Sequence, residues 1–479
     1  MDDLLLIFDV GSSALKAVLF SRSGAVVAAA SSPVPTATAP DGSAEQDVAD
    51  WWRAALAATA ALPGREHVGA IALTGSMQNL IALADDGTPA GPAVLYSDRR
   101  LDAGDVAALG RELPDDYAAR TGNRLDAAHT ILKLMRLGNY YPGGAPGAHF
   151  LFGAKDAVIE RLTGQRVIDP TTATTSGLFD IRAGAWDAGL VTAAGIALER
   201  LPTILSADAV VGGLLDAPAA TLGLTAGIPV FNGAGDGAAA TWGAFADRPA
   251  SAYVYLGTTG WVAATTTLAE AAPPRDIYTL ADPIRPDRAV LISPFLNAGS
   301  ALDWLAQATA TPVETLLDRA GAERSGPLFL PYLAGERAPF EDQAVRGAFI
   351  GIDRTHGPGA LCRSVLEGIT FAVRHNLETA GLPAAPLTAI GGGARSRLIR
   401  QMLADTLGRA VSVPPESREV PALGIYRMVA GELGLATVEP QHEAETVEPQ
   451  PQQAERAERR YRAYRAASQF ARDLAPSLA

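Results

Sequence analysis

Two stretches of the chain are built alike: IFDVGSSALKAVLF at 7–20 and SAYVYLGTTGWVAAT at 251–265. Each is an apolar strand, a turn of small Gly, Ser and Thr residues, and a second apolar strand. A turn of this kind presents backbone N–H groups and hydroxyls to one anion. It is also an ordinary way to close a hairpin, so either copy alone says little. Two copies so far apart are more restrictive. They predict two halves that face each other across one phosphate-bearing molecule, and Asp9, just ahead of Gly11, marks the first copy as the more polar of the two.

At 479 residues the chain exceeds what one hydrophobic core organises, so two or more domains are expected. A net charge of -13 argues against a nucleic-acid partner, because the sequence-independent part of that affinity comes from lysine and arginine. The single cysteine, Cys362, excludes an internal disulfide and a cysteine-based metal cluster; its setting, ALCRSVLEGITFAV, predicts a buried position on a helix. The six histidines show no metal-ligand spacing. An acidic pair, Asp2 and Asp3, stands where a secretory signal would carry positive charge, and no apolar run reaches membrane-spanning length. A soluble, cytoplasmic protein is expected, with no membrane partner.

Short β-rich runs alternate with alanine-rich helical patterns, which argues for an α/β architecture. LLLIFDV, AVVAAASS and VGAIALTG read as strands, and the segment from Val48 to about Leu62 as a helix. Asp247, Arg248 and Pro249 punctuate a boundary near 246. A later strand begins near Leu387 and leads through a glycine turn into the helix RLIRQMLADTLG. From Val438 to Gln453 the chain is rich in Glu, Gln and Pro and reads as an exposed linker. The helical segment AERAERRYRAYRAASQFARDL follows, with Tyr461, Tyr464 and Phe470 as docking residues.

No Gly-Lys-Ser/Thr occurs, so phosphate binding of the P-loop type is excluded. Glycine turns at helix starts remain. Gly391 to Ala394 lie between a strand and a helix, where the helix dipole and free N–H groups favour an anion. NGAGDGAAAT at 232–241 is a second such junction. Gly233, Gly235 and Ala238 fit a degenerate dinucleotide fingerprint, but the next strand ends in Gly257 and Thr258 and lacks the acidic residue that grips a ribose. Asp236 in this turn suits either of two roles, a helix N-cap or a general base for a sugar hydroxyl. Neither a Gly-x-Ser-x-Gly elbow nor an HExxH pair is present to support a hydrolase.

A set of longer stretches resembles one family across nearly the whole chain and in the family's order. They include FDVGSSALKAVLF (8–20), AEQDVADWW (44–52), TGSMQNL (74–80), LYSDRR (95–100), GAGDGAA (233–239), YLGTTG (255–260) and NAGSALDWL (297–305). FLPYLAGERAPF (329–340), GAFIGIDRTHGPGALCRSVLEG (347–368) and IGGGARSRLIRQMLAD (390–405) complete the set. The chain resembles the FGGY carbohydrate kinases, of the actin, sugar-kinase and heat-shock ATPase superfamily, and is most similar to the branch that phosphorylates D-xylulose.

The resemblance implies an α/β fold of two ribonuclease-H-like lobes around a central cleft. An N-terminal sugar-binding lobe would span 1–246, a C-terminal ATP-binding lobe 247–437, and a polar linker with a terminal helix 438–479. It implies ATP and Mg2+ as cofactors and a small sugar or polyol as partner, and it allows a homodimer. The implied catalytic base is Asp236, and Asp9 the carboxylate that organises the metal. Gly11 and Ser12 of the first turn, and Gly257, Thr258 and Thr259 of the second, would approach the phosphates. Gly299, Gly393 and Arg397 would border the adenosine, and Met77, Gln78, Asp98 and Arg99 would line the sugar site.

The implied reaction is transfer of the γ-phosphate of ATP to a sugar hydroxyl, with D-xylulose, giving D-xylulose 5-phosphate, as best single acceptor. The chain departs from that branch where Met77 and Gln78 replace Met-His, Asp236 and Gly237 replace Asp-Asn, Ser97 replaces Asn and Arg136 replaces Trp. Gluconate, ribulose or another polyol therefore stays open as acceptor. So does a non-catalytic, actin-like ATP switch. The Arg-Glu pair of the glycerol-specific members is absent at 77 and 78.

Overall fold

In the computed structural model the described residues are 4–245, 251–271, 277–382, 387–414, 419–436 and 445–477. The boundary expected near 246, with its Asp247, Arg248 and Pro249, lies outside them. Two seven-stranded sheets organise the chain. In the first, Leu4–Val10 pairs antiparallel with Ala14–Phe20, which pairs antiparallel with Val26–Pro33. On its other side Leu4–Val10 runs parallel to Val68–Gly75, and that strand parallel to Pro229–Phe231.

The second sheet repeats the plan. Ala252–Leu256 pairs antiparallel with Gly260–Thr267 and that strand with Arg288–Phe295, while Leu387–Ile390 and Val411–Val413 add in parallel. Numbered over the five strands just named in each sheet, both read 3-2-1-4-5. The two hairpins singled out in the sequence are thus strands 1 and 2 of two copies of one fold.

Apart from Asp9, the run LLLIFDV is apolar because helices cover both faces of its sheet. Leu6, Phe8 and Val10 pack with Trp51, Ala54 and Ala58 of the helix Val48–Ala60, whereas Leu5 and Ile7 face Ala238, Ala239 and Trp242. These last three belong to the helix Asp236–Phe245, which follows strand 5 of the first sheet and is buried from Gly237 onward. The same helix sends Ala240, Ala244 and Phe245 against Tyr253, Val290 and Ile292 of the second sheet. Its counterpart after strand 5 of the second sheet, Val420–Val429, packs in turn on the first sheet. The two helices lie between the sheets and lock the halves together.

Between Gly75 and Val210 the first half carries an inserted layer with its own core, which includes Ile131, Phe150, Phe152, Phe179 and Leu190. At the C-terminal end, the stretch expected as an exposed linker contains a strand, Glu445–Val447, paired antiparallel with Val411–Val413. Val447 is buried there, which explains why a polar composition still folds onto an edge. The terminal helix Ala454–Leu474 docks through Tyr461 and Tyr464; the Tyr332 hydroxyl lies 2.9 Å from that of Tyr464 and 2.8 Å from that of Ser468. Phe470, expected to dock as well, is 63% exposed, because it lies off the face that carries the two tyrosines. Cys362 is buried on the helix Pro358–Thr379. Among the described residues no helix is long and apolar enough to cross a membrane.

Candidate active site

Asp236 is the first residue of the helix Asp236–Phe245, directly after Ala234–Gly235, which pairs parallel with Thr74–Gly75. The glycines around it exist for space. Gly233 has φ 65°, and a Cβ there would come within 1.7 Å of the Leu73 carbonyl oxygen. A Cβ on Gly235 would meet the Met77 sulfur at 2.2 Å, and one on Gly237 would meet Ile292 at 2.8 Å. The side chain absent at Gly237 is therefore replaced by Ile292 and Met77, which close on the backbone beside the carboxylate.

The carboxyl of Asp236 borders a cavity of about 230 Å³ shared by the two halves. Ser12, Ser76, Met77, Gln78, Tyr96 and Thr175 line it from the first half, and Thr259, Trp261, Tyr278, Phe295 and Arg337 from the second. Burial pushes the proton affinity of Asp236 up to about 7, helped by the negative charges of Asp9 and Asp169 and opposed by the Gly237 N–H. Asp9, on the strand beyond Val68–Gly75, is raised to about 6, chiefly by burial; Lys16 works against that rise and Glu419 with it.

Gln78 sits in the left-handed region at φ 61°, a conformation uncommon outside glycine and often found at functional sites. Lys133 Nζ holds it in place by donating to the Gln78 carbonyl at 3.3 Å and the Leu95 carbonyl at 2.8 Å. The Gln78 side-chain Nε2 is buried with no hydrogen-bond partner among the described residues. A buried amide left unpaired costs free energy that a ligand oxygen can return. Trp261, opposite, is fixed by its Nε1–H bond to the Tyr253 hydroxyl at 2.8 Å and by stacking on Tyr255 at 4.0 Å.

A second cavity, of about 290 Å³, lies on the other side of the 256–260 turn. Gly257, Thr258, Gly299 and Gly393 line it together with Leu302, Leu366, Ile369 and Ile399. Gly299 N–H donates to the Gly257 carbonyl at 2.8 Å and Ser300 N–H to the Thr258 carbonyl at 3.0 Å, which seats the turn on the start of the helix Gly299–Ala308. A Cβ on Gly299 would strike the Gly257 carbonyl oxygen at 2.7 Å. The result is a glycine floor beneath apolar walls, suited to a phosphate at one end and a flat base at the other.

Of the residues expected at the sites, Met77, Gln78, Ser12, Thr259 and Asp236 share the first cavity, and Gly257, Thr258, Gly299 and Gly393 the second. Asp98 and Arg99 line neither. Asp98 is buried and already accepts hydrogen bonds from Ala44 N, Arg100 N and Arg100 Nε, and Arg100 continues to Glu45. Its carboxylate is used up holding the loop, and Arg99 is exposed. Gly11 lines neither cavity, since its N–H closes the first turn on the Ala14 carbonyl at 3.1 Å. Arg397, the exposed first residue of the helix Arg397–Leu407, is not on the cavity wall either; Ile399 is. Tyr96, Thr175, Trp261 and Arg337 were not singled out in the sequence. Tyr96 lies in LYSDRR and Arg337 in GERAPF, so the stretches carried the signal, but nothing local marked the residue.

Family models describe the same two halves. The N-terminal domain of the FGGY family of carbohydrate kinases matches residues 4–243, and its C-terminal domain matches 252–430. A xylulose kinase of Escherichia coli is 30% identical over 431 residues, 88% of each chain. A ligand-bound xylulose kinase and a gluconate kinase, both from Lactobacillus acidophilus, superpose equally well, each at TM-score 0.89 and 25% identity over 99% of this chain and all of theirs. With matches over both halves and a cavity built around Asp236, the chain belongs to the FGGY family of carbohydrate kinases.

Proposed function

We propose that this ATP-dependent phosphotransferase transfers the γ-phosphate of ATP to the terminal hydroxyl of D-xylulose, with Asp236 as general base. The observation that carries the assignment is the carboxyl of Asp236, held at the start of a buried helix on the wall of a cavity both halves share, with a proton affinity of about 7. A base of that strength is half deprotonated near neutrality and accepts a hydroxyl proton as the oxygen begins to bond to phosphorus. Asp236 would take that proton and Gln78 Nε2 would bind a sugar oxygen. Thr259 and Ser12, on facing turns, would flank the transferred group.

The second cavity would hold the nucleotide, its apolar walls against the base and Gly257, Thr258 and Gly393 along the phosphates. Asp9 lines neither cavity, but its negative charge reaches Asp236 and adds to that residue's proton affinity. That surplus negative charge, offered on hard oxygen ligands, fits Mg2+, with Asp9 as its protein ligand and the rest of its shell from phosphate and water. Bound there, the ion would neutralise charge on the transferring phosphoryl group. Halves locked by two buried helices would exclude water, the competing acceptor.

Support for D-xylulose comes from the xylulose kinases among the relatives, and the equally similar gluconate kinase keeps D-gluconate as the second reading. Phosphorus NMR of the products formed with ATP, Mg2+ and each acceptor tests the choice. D-Xylulose 5-phosphate as the preferred product is expected; preferential phosphorylation of D-gluconate would replace the first reading with the second.

A further inference from the structure

The acceptor cavity contains a second charged group that proton removal and phosphoryl transfer do not use. Arg337 is the one lysine or arginine among the described residues that line it. Its backbone N–H donates to Glu336 Oε1 at 2.9 Å, and the same oxygen accepts from Leu296 N at 2.9 Å. The guanidinium carbon lies 4.8 Å from the centre of the Tyr278 ring. A cation placed so on the wall of a sugar site would suit the carboxylate of a sugar acid, which a guanidinium binds with two parallel hydrogen bonds.

That cation is already occupied. Arg337 Nη2 lies 3.0 Å from Asp126 Oδ2, Tyr278 donates its hydroxyl to the same oxygen at 2.6 Å, and Arg337 also contacts that hydroxyl. Asp126 comes from the opposite half and lines a smaller pocket of about 50 Å³ on the outer side, whereas Arg337 and Tyr278 line both spaces. Its loop is anchored independently: Asn123 Nδ2 donates to the Thr279 carbonyl and Thr279 N–H to Asn123 Oδ1, both at 2.8 Å. Burial works against the charge on Asp126, but Arg337, His129, the Ala128 N–H and Lys133 hold its carboxyl below the usual range. An arriving carboxylate would have to take the guanidinium from a partly buried partner and leave the Asp126 carboxylate unpaired, which costs free energy.

We propose that Asp126 is a specificity-determining residue that acts through Arg337. By engaging the guanidinium from behind, it removes the positive charge from the acceptor cavity and excludes sugar acids in favour of neutral ketoses and polyols. The proposal rests on the reading that this cavity holds the acceptor. It places discrimination in a position outside the sugar contacts themselves, where specificity comes from a repulsive element as much as from an attractive one.

The test compares kcat/KM for D-xylulose and D-gluconate in the wild type, Asp126→Asn, Asp126→Ser and the double variant Asp126→Asn/Arg337→Met. The ratio of gluconate to xylulose is expected to rise by about tenfold or more in both single variants, because a charge-assisted hydrogen bond becomes available, and to return toward the wild-type value in the double variant. An unchanged ratio, or a rise that persists without Arg337, overturns the proposal. Calorimetric titration of D-gluconate into the same variants reads the change without turnover: tighter binding in the single variants supports it and unchanged binding overturns it. If the wild type prefers another neutral ketose, the choice of D-xylulose fails and the ratio taken with that ketose still decides on Asp126. A wild type that prefers D-gluconate contradicts both.

Discussion

Asp236 owes its strength as a base to where the chain puts it: burial and the nearby charges of Asp9 and Asp169 outweigh the stabilising Gly237 N–H. Because the group must be ionised to act, kcat/KM should fall as pH drops through about 7 and level off above it, measured at saturating Mg2+-ATP. A flat profile from pH 5.5 to 8.5 would contradict the assignment. Glu336, 2% exposed behind Arg337, is pushed up to about 8 by burial, against donation from Arg337 N and Leu296 N. Its folded-state affinity exceeds the unfolded one, so its neutral form is compatible with the fold and stability is lost as pH rises toward and through about 8. Glu336→Gln, which cannot ionise, should therefore gain stability relative to the wild type between pH 6 and pH 9, by up to about 1.4 kcal/mol per pH unit. Urea midpoints at the two pH values check this. At this scale the sequence picked out Asp236, Met77 and Gln78, which line one cavity, because each stands in a motif with a distinctive neighbour. Asp98, expected beside them, lines neither cavity, since a buried carboxylate committed to Arg100 and one facing a ligand look the same in a sequence.

At the scale of elements, the two helices between the sheets approach backbone to backbone. A Cβ on Gly243 would come within 1.9 Å of the Val420 carbonyl oxygen, and one on Gly424 within 1.9 Å of the Ala239 carbonyl oxygen. Either Gly→Ala change should cost about 1–3 kcal/mol or more, despite alanine's higher helix propensity, because the helices must separate to admit the methyl group. Thermal melting checks this; an unchanged or raised Tm would mean the helices are free to part. Such glycines read in the sequence as weak points in a helix, and nothing there says that another helix lies on them. The strands were more legible. LLLIFDV and SAYVYLG carry β-rich apolar runs next to small-residue turns, a local signature that survives without tertiary information. The edge strand Glu445–Val447 carries none, since only Val447 is buried and its pairing is decided by a strand some thirty residues earlier.

For the whole molecule, the repeated hairpin proved to be the visible part of a larger repeat. The shared 3-2-1-4-5 order joins strands that are distant in the chain, so it could be inferred only through the family resemblance. The two copies also divide the work. The first turn contributes Ser12 to the acceptor cavity, and the second separates the two cavities, with Thr259 on one side and Thr258 on the other. A ligand in the second cavity should therefore stabilise both halves at once. Mg2+-ADP is expected to raise the Tm in one cooperative transition, by an amount that grows with ligand concentration; separate transitions, with only one moving, would show that the halves unfold independently. The central claim, that Asp236 removes the acceptor's proton in a cavity the two halves build together, is tested most directly by sugar-stimulated ADP release in Asp236→Asn. The account predicts kcat lower by about a hundredfold to ten-thousandfold with calorimetric D-xylulose binding retained; turnover equal to that of the wild type would contradict it.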